Sequence, residues 1–292
     1  MQPVARTWRE MRRWPVLPAI VLVGLATLAI FARQIAPYGP LDQNVYARNA
    51  PPSWASGAWY AEHPKVDGRY FLGADYVGRD VLSRIIYGAR ISLMISAIAA
   101  GAGMTIGSTV GMVAGYFGGW VDEIVMRLVD AWSCMPFILL ALVVAIVLGT
   151  SVKTMMIILA LVAWESFVRN VRAEVLSLKT RDYVALAKVA GASHSQIIVR
   201  HILPGVTNTI VIITTLRLGG LIMGEATLSF LGAGIPSPTP AWGLMVSEGR
   251  NYVDTAYWTA MFPGLFILML VMSFNFIGDW LRDRMDPRLR QL

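Results

Sequence analysis

Arg217 is the residue whose position most needs a chemical explanation. It stands near the middle of an apolar run at 206–230, and a cation at that depth in a bilayer is costly unless it faces protein, water or a solute. Three and four positions away on its own helix lie Ile213, Thr214, Gly220 and Leu221, so no acid pairs with it at helical spacing. A guanidinium binds carboxylates through two parallel hydrogen bonds, which makes Arg217 a candidate for selecting carboxylate-bearing solutes along a path through the membrane. Glu225 lies just over two helical turns further on, on the same side but beyond direct pairing distance. Pro136 and Pro263 sit in or near other apolar runs. Proline breaks are tolerated where the freed backbone groups meet protein or water, and Pro136 joins Arg217 and Glu225 as a candidate of the translocation path. Glu225 and Asp130 are the intramembrane acids this reading identifies.

Catalytic sets are missing. The chain has no Gly-Lys dipeptide and hence no phosphate-cradling loop. His63, His194 and His201 lack the spacing or cysteine partners of a metal site, so no metal is expected. Nor does any nucleophile come with a nearby base. The chain is read as a non-enzyme that binds no cofactor, and ATP chemistry, if any, belongs to a partner.

The segment 181–204 carries folding instructions of its own. Asp182 is expected to cap a short helix reaching Ala190, and Gly191 supplies the left-handed residue that ends it. Ser193 with Gln196 three later forms a capping box for a second short helix, which Pro204 is expected to close. Two short helices joined at a glycine make a compact knob.

These segments are positioned by a chain that is 56% hydrophobic and 15% charged, with mean hydropathy +0.57. That is too apolar for a soluble domain. Runs at 15–35, 90–115, 123–149, 153–171, 206–230 and 257–280 are each of spanning length, about 20 residues, giving an all-α polytopic membrane protein of about six transmembrane helices. Arg6, Arg9, Arg12 and Arg13 before the first run could mark a signal peptide, but no small-x-small cleavage site follows. Basic residues gather on alternate loops, Arg172, Lys179, Arg181, Lys188 and Arg200 among them, with Arg288 and Arg290 near the end. Both termini and the 172–205 loop are therefore expected in the cytosol. This rule accounts for the net charge of +7, and nucleic acid is not an expected partner. Cys134 can form no intrachain disulfide because it is the only cysteine. The chain divides into 1–89, holding the N-terminal tail, first span and an extracytoplasmic segment, and 90–292, a five-helix core.

Two further patterns are local. Gly103, Gly107, Gly111 and Gly115 recur every four residues, a bare helix face that lets another helix approach closely. Asp80 is expected to cap a short helix with Val81, Leu82, Ile85 and Ile86 on one face and Arg84 opposite, lying on the outer membrane surface.

The order of residues in the knob resembles the cytoplasmic coupling motif of ABC importer permeases. Tyr183-Val-Ala-Leu-Ala-Lys-Val-Ala-Gly191 and His201-Ile-Leu-Pro204 occupy the places of its Glu-Ala-Ala triplet, glycine and Ile-Leu-Pro ending. Leu72-Gly-Ala-Asp-Tyr-Val-Gly-Arg-Asp80 and its continuation to Leu93, Gly115 to Asp122, Glu225 to Gly232, Pro238 to Gly243 and Asn275 to Asp283 extend the likeness to the dipeptide/oligopeptide permeases. The resemblance implies a type I importer permease fold in the bacterial inner membrane. It implies a second homologous permease, two ATP-binding subunits carrying ATP and Mg, and an extracytoplasmic solute-binding protein. It also implies that Asp182, Tyr183, Ala185, Ala187, Gly191, Ala192, Ser193 and Pro204 couple the permease to the ATPase. One departure stands out: the motif's glutamate is Ala185 here, and Leu186 replaces the next alanine. The group also moves nickel complexes and glutathione, so the solute is open between these and peptides. A secondary carrier would need inverted repeats and ion sites, and neither is evident.

Overall fold

The computed structural model describes residues 15–66 and 70–285; Arg6, Arg9, Arg12, Arg13, Arg288 and Arg290 lie outside them. In chain order the α-helices are α1 Val16–Ile30, α2 Ala32–Ile35, α3 Gly57–Glu62, α4 Val81–Phe117, α5 Gly119–Ser133, α6 Phe137–Leu148, α7 Val152–Leu178, α8 Asp182–Val189, α9 His194–Ile197, α10 Leu203–Phe230, α11 Trp242–Gly249, α12 Val253–Ala256 and α13 Trp258–Met285. A π-helical stretch, Ile198–Ile202, joins α9 to α10.

Among the described residues, four helices are long and apolar enough to cross a bilayer: α4, α7, the continuous α9–α10 unit and α13. The expected third span is instead broken. Helices α5 and α6 meet at an angle of 84°, with Pro136 extended at the joint (φ −58°, ψ 122°), a conformation that ends a helix on one side and starts another on the other. The expected first span is also interrupted, since α1 has 15 residues and ends at Phe31 before α2 resumes. Pro263 interrupts nothing: it lies within the second turn of α13, and the helix runs on.

Packing begins with the glycine face. A β-carbon added at Gly103 would strike Ala163, and one at Gly107 would strike the Trp164 carbonyl; at Gly111 and Gly115 it would come within 2.8 Å of the Val168 carbonyl and 2.9 Å of the Val175 Cβ. All four face α7, so α4 and α7 lie against each other with no room for a side chain between them. A core of Ile95, Ala99, Ala141, Ala145, Met155, Ile158, Leu159, Ala163, Leu221 and Leu228 adds α6 and α10 to this pair. A second cluster joins α1, α10, α11 and α13 to the start of α4 through Leu25, Val81, Ile85, Ile222, Trp242 and Leu270. Trp242 Nε1 donates to the Ile85 carbonyl at 2.9 Å, in the space that Gly88 leaves open.

The segment before α4 differs from expectation. Asp80 does cap, accepting from the Ser83 amide at 2.7 Å, but the helix it starts is α4 itself rather than a short surface helix. Arg84 points inward, 1% exposed. It meets Asp75 at 2.6 Å and Glu248 of α11 at 2.9 Å, while Arg79 meets the same two carboxylates at 2.6 and 3.0 Å. Burial would lower the Arg79 guanidinium, yet these carboxylates hold it above its ordinary value. Two charges of each sign thus close a buried set.

The glycine face predicts an asymmetry. Gly107→Val should destabilise the protein in detergent by about 1–3 kcal/mol or prevent folding, whereas Gly101→Val, where a β-carbon would meet nothing within 4 Å, should leave thermal unfolding nearly unchanged. Equal unfolding temperatures for the two variants would refute the packing account.

Candidate functional site

The loop between α7 and α10 and the cavity beside it bring most of the candidate residues together. Arg181, not Asp182, holds the N-cap position of α8, and it makes no side-chain cap bond; Asp182 is the first helical residue. An acid there still favours the helix through its dipole. The helix ends at Val189, and Gly191 takes the left-handed conformation (φ 80°) with open space around it. The Ser193 capping box forms on both sides: the Gln196 amide donates to Ser193 Oγ at 3.3 Å and the Ser193 amide to Gln196 Oε1 at 3.1 Å.

Pro204 does not close the second helix. It falls in the first turn of α10, where a missing N–H is tolerated, and the π stretch before it carries α9 straight into the span. The knob is therefore α8 and its glycine turn, set on the end of a helix that continues through the membrane.

Val184 is the buried residue of α8 and docks into a cluster of Tyr116, Val171, Val175, Ile197, Ile202 and Val206, with Ala187 and Ala192 packed alongside. Ala185 is exposed. So are Tyr183, Leu186 and Val189, at 43, 68 and 87%, leaving an apolar edge on a polar loop. Sequence reading missed the polar links around this end of the bundle. Tyr116 Oη lies 2.8 Å from His194 Nδ1, Lys179 Nζ donates to the Gly115 carbonyl at 2.8 Å, and Arg172 grips both oxygens of Asp122 at 2.5 Å.

Next to the knob, α7, α10 and the end of α13 enclose a cavity of about 1150 Å³. Its polar lining includes Ser166, Asn170, Glu174, Arg181, Asn208 and Arg217. Arg217 thus borders a cavity with polar lining rather than a closed apolar core, in keeping with the cost of burying a cation. Its partner is on another span: Glu165 Oε1 of α7 lies 3.8 Å away. Glu165 was overlooked in the sequence, although it falls inside the run at 153–171; an acid at mid-span deserved the same weight as Arg217.

The other two path candidates are elsewhere. Glu225 is 1% exposed, accepting from Ser229 Oγ at 2.8 Å and Ser92 Oγ at 3.3 Å, and does not line the cavity. Pro136 stands at the α5–α6 elbow. Among the described residues no group of three or more His, Cys, Asp or Glu side chains could hold a metal.

Comparison with known proteins places this arrangement. The family described as binding-protein-dependent transport system inner membrane component matches residues 107–291, and the N-terminal TM domain of oligopeptide transport permease C matches residues 3–52. The dipeptide transport system permease protein DppC of Haemophilus influenzae is 39% identical over 97% of this chain and 93% of its own length. The chain belongs to the binding-protein-dependent inner-membrane permeases. Such a permease is a transport subunit of an ABC importer, membrane-spanning and not itself an enzyme, which works with ATPase and binding-protein partners. The glutathione transport system permease protein GsiD of Escherichia coli is also 39% identical, over 97% of this permease and 90% of its own length. An inward-facing structure of the MetNI methionine ABC transporter shares the fold, with TM-score 0.57 and 20% identity over 70% of this permease and 97% of that chain.

The capping box can be tested on the permease directly. Ser193→Ala should cost about 1 kcal/mol locally, seen as roughly fivefold faster hydrogen exchange at the Gln196 amide. An unchanged rate would show that the box does not hold the start of α9.

Proposed function

We propose that this permease carries peptides or closely related carboxylate-bearing solutes inward, as one of two homologous permeases assembled with two ATP-binding subunits and an extracytoplasmic binding protein. Relatives named for dipeptide and glutathione transport support the solute class, since both solutes carry free carboxylates. The observation that carries the coupling role is the exposed edge of Tyr183, Leu186 and Val189 on a knob anchored by Val184. Apolar side chains grouped at the tip of a charged loop invite a protein partner, and the ATP-binding subunit is the partner that this importer class requires.

In this reading the loop and both termini are cytosolic, the basic loop residues being retained inside, and the protein lies in the bacterial inner membrane with no role for nucleic acid. ATP and Mg sit on the partner subunits, and this chain binds no cofactor. Closure of the ATPases pulls on α8, and the contacts of His194 with Tyr116 and of Lys179 with the Gly115 carbonyl pass the movement to α4. The cavity lined by Arg217 is the cytosolic half of the solute path. The absent glutamate at Ala185 sits on an exposed face of α8, where it would add a charged contact without altering the fold.

Gly191→Val forces a β-branched residue into the left-handed region at a cost of about 1–2 kcal/mol. In proteoliposomes holding the full importer it should leave assembly intact, sharply reduce dipeptide uptake and free ATP hydrolysis from its dependence on solute. Normal uptake by a fully assembled Gly191→Val complex would overturn the coupling role. Ala185→Glu should raise solute-stimulated ATP hydrolysis if that contact limits coupling here, and an unchanged rate would show it to be dispensable.

A further inference from the structure

The pair between Arg217 and Glu165 is a loose one. Its separation is 3.8 Å, against 2.5 Å for Arg172 with Asp122 and 2.9 Å for Arg169 with Asp130. The two side chains are also 35 and 22% exposed, so water and solutes reach them.

Glu165 is held more firmly from its other side. Its Oε2 accepts from Ser133 Oγ at 2.5 Å. Ser133 Oγ in turn accepts from Arg169 Nη2 at 2.8 Å, and Arg169 pairs with Asp130. A serine hydroxyl has one proton, yet the Val129 carbonyl is also 2.8 Å from Ser133 Oγ. Ser133 therefore serves Glu165 or that carbonyl at any instant, not both.

We propose that Glu165 is a resident counter-carboxylate, a specificity-determining residue that occupies Arg217 loosely and gives way to the carboxylate of an arriving solute. The inference rests on the cavity being part of the solute path. An incoming carboxylate can engage the guanidinium through two parallel bonds, where Glu165 offers one distant oxygen. Charged groups of the lining favour an anion, since Arg181, Arg217 and Arg282 face a lone Glu174. When the solute leaves, Glu165 returns and the arginine is not left bare in a low-dielectric setting, where an unpaired charge is costly. Selection and release thus come from the same pair, with Ser133 setting how readily Glu165 lets go.

The test titrates the purified, nucleotide-free importer, without binding protein, with dialanine and with dialanine amide, by calorimetry. The wild type should bind dialanine more tightly than the amide. Glu165→Gln removes the competitor and should tighten dialanine about tenfold, or about 1.4 kcal/mol, with the amide unchanged. Ser133→Ala frees Glu165 to close on Arg217 and should weaken dialanine about threefold. Arg217→Met should make the two ligands equal.

A Glu165→Gln complex that gains nothing for dialanine, or gains as much for the amide, overturns the proposal, as does a wild type that binds neither. Should Glu165→Gln fail to assemble, Ser133→Ala decides alone: unchanged or tighter dialanine binding sinks the idea. Uptake into proteoliposomes separates this from the broader reading. Titrations as expected with no peptide uptake would remove peptide transport and leave the exchange standing, while uptake with flat titrations would do the reverse.

Discussion

The approach of α4 to α7 governs the loop-bearing side of the molecule, because a glycine face leaves the backbones no separation to adjust. Helix α7 carries Glu165, Arg169 and Arg172 and ends at the knob, so their contacts with Arg217, Asp130 and Asp122 are referred to one rigid pair of helices. Lipid tails give no hydrophobic reward for helix association. Close packing and a few strong polar links must do the holding. The Lys179 bond to the Gly115 carbonyl lies at the end of the same glycine face, tying the start of the loop to the point where α4 stops.

Charge inside the bundle follows one rule on both sides. The buried arginines have carboxylates close by, but closeness differs with role. The set of Asp75, Arg79, Arg84 and Glu248 is tight and nearly dry. The Arg217 pair is loose and partly exposed. The first arrangement fixes position, and the second leaves a guanidinium able to change partners.

Much of this was legible in the sequence. Helical class, the long apolar runs, the Gly191 turn and the Ser193 box follow from local rules that act within a few residues. Misreadings came where distant residues decide. From sequence Arg84 reads as a surface residue because nothing places Glu248 beside it, and Asp182 reads as the cap that Arg181 holds by backbone geometry alone. Pro204 reads as a stop because a π-helical turn, which accommodates it, leaves no mark in residue type. The elbow at Pro136 was legible as a break but not as an 84° turn, since proline permits a bend without fixing its size.

The buried charge set before α4 also has a consequence for the order in which this protein can be completed. Arg84 and Glu248 are separated by 164 positions along the chain, so during synthesis the two arginines emerge long before their second carboxylate exists. Until α11 is made, Asp75 must serve both guanidinium groups. The amino-terminal part of the permease therefore stays electrically unfinished until α11 has been made, and its final seat against the rest of the bundle becomes available only then.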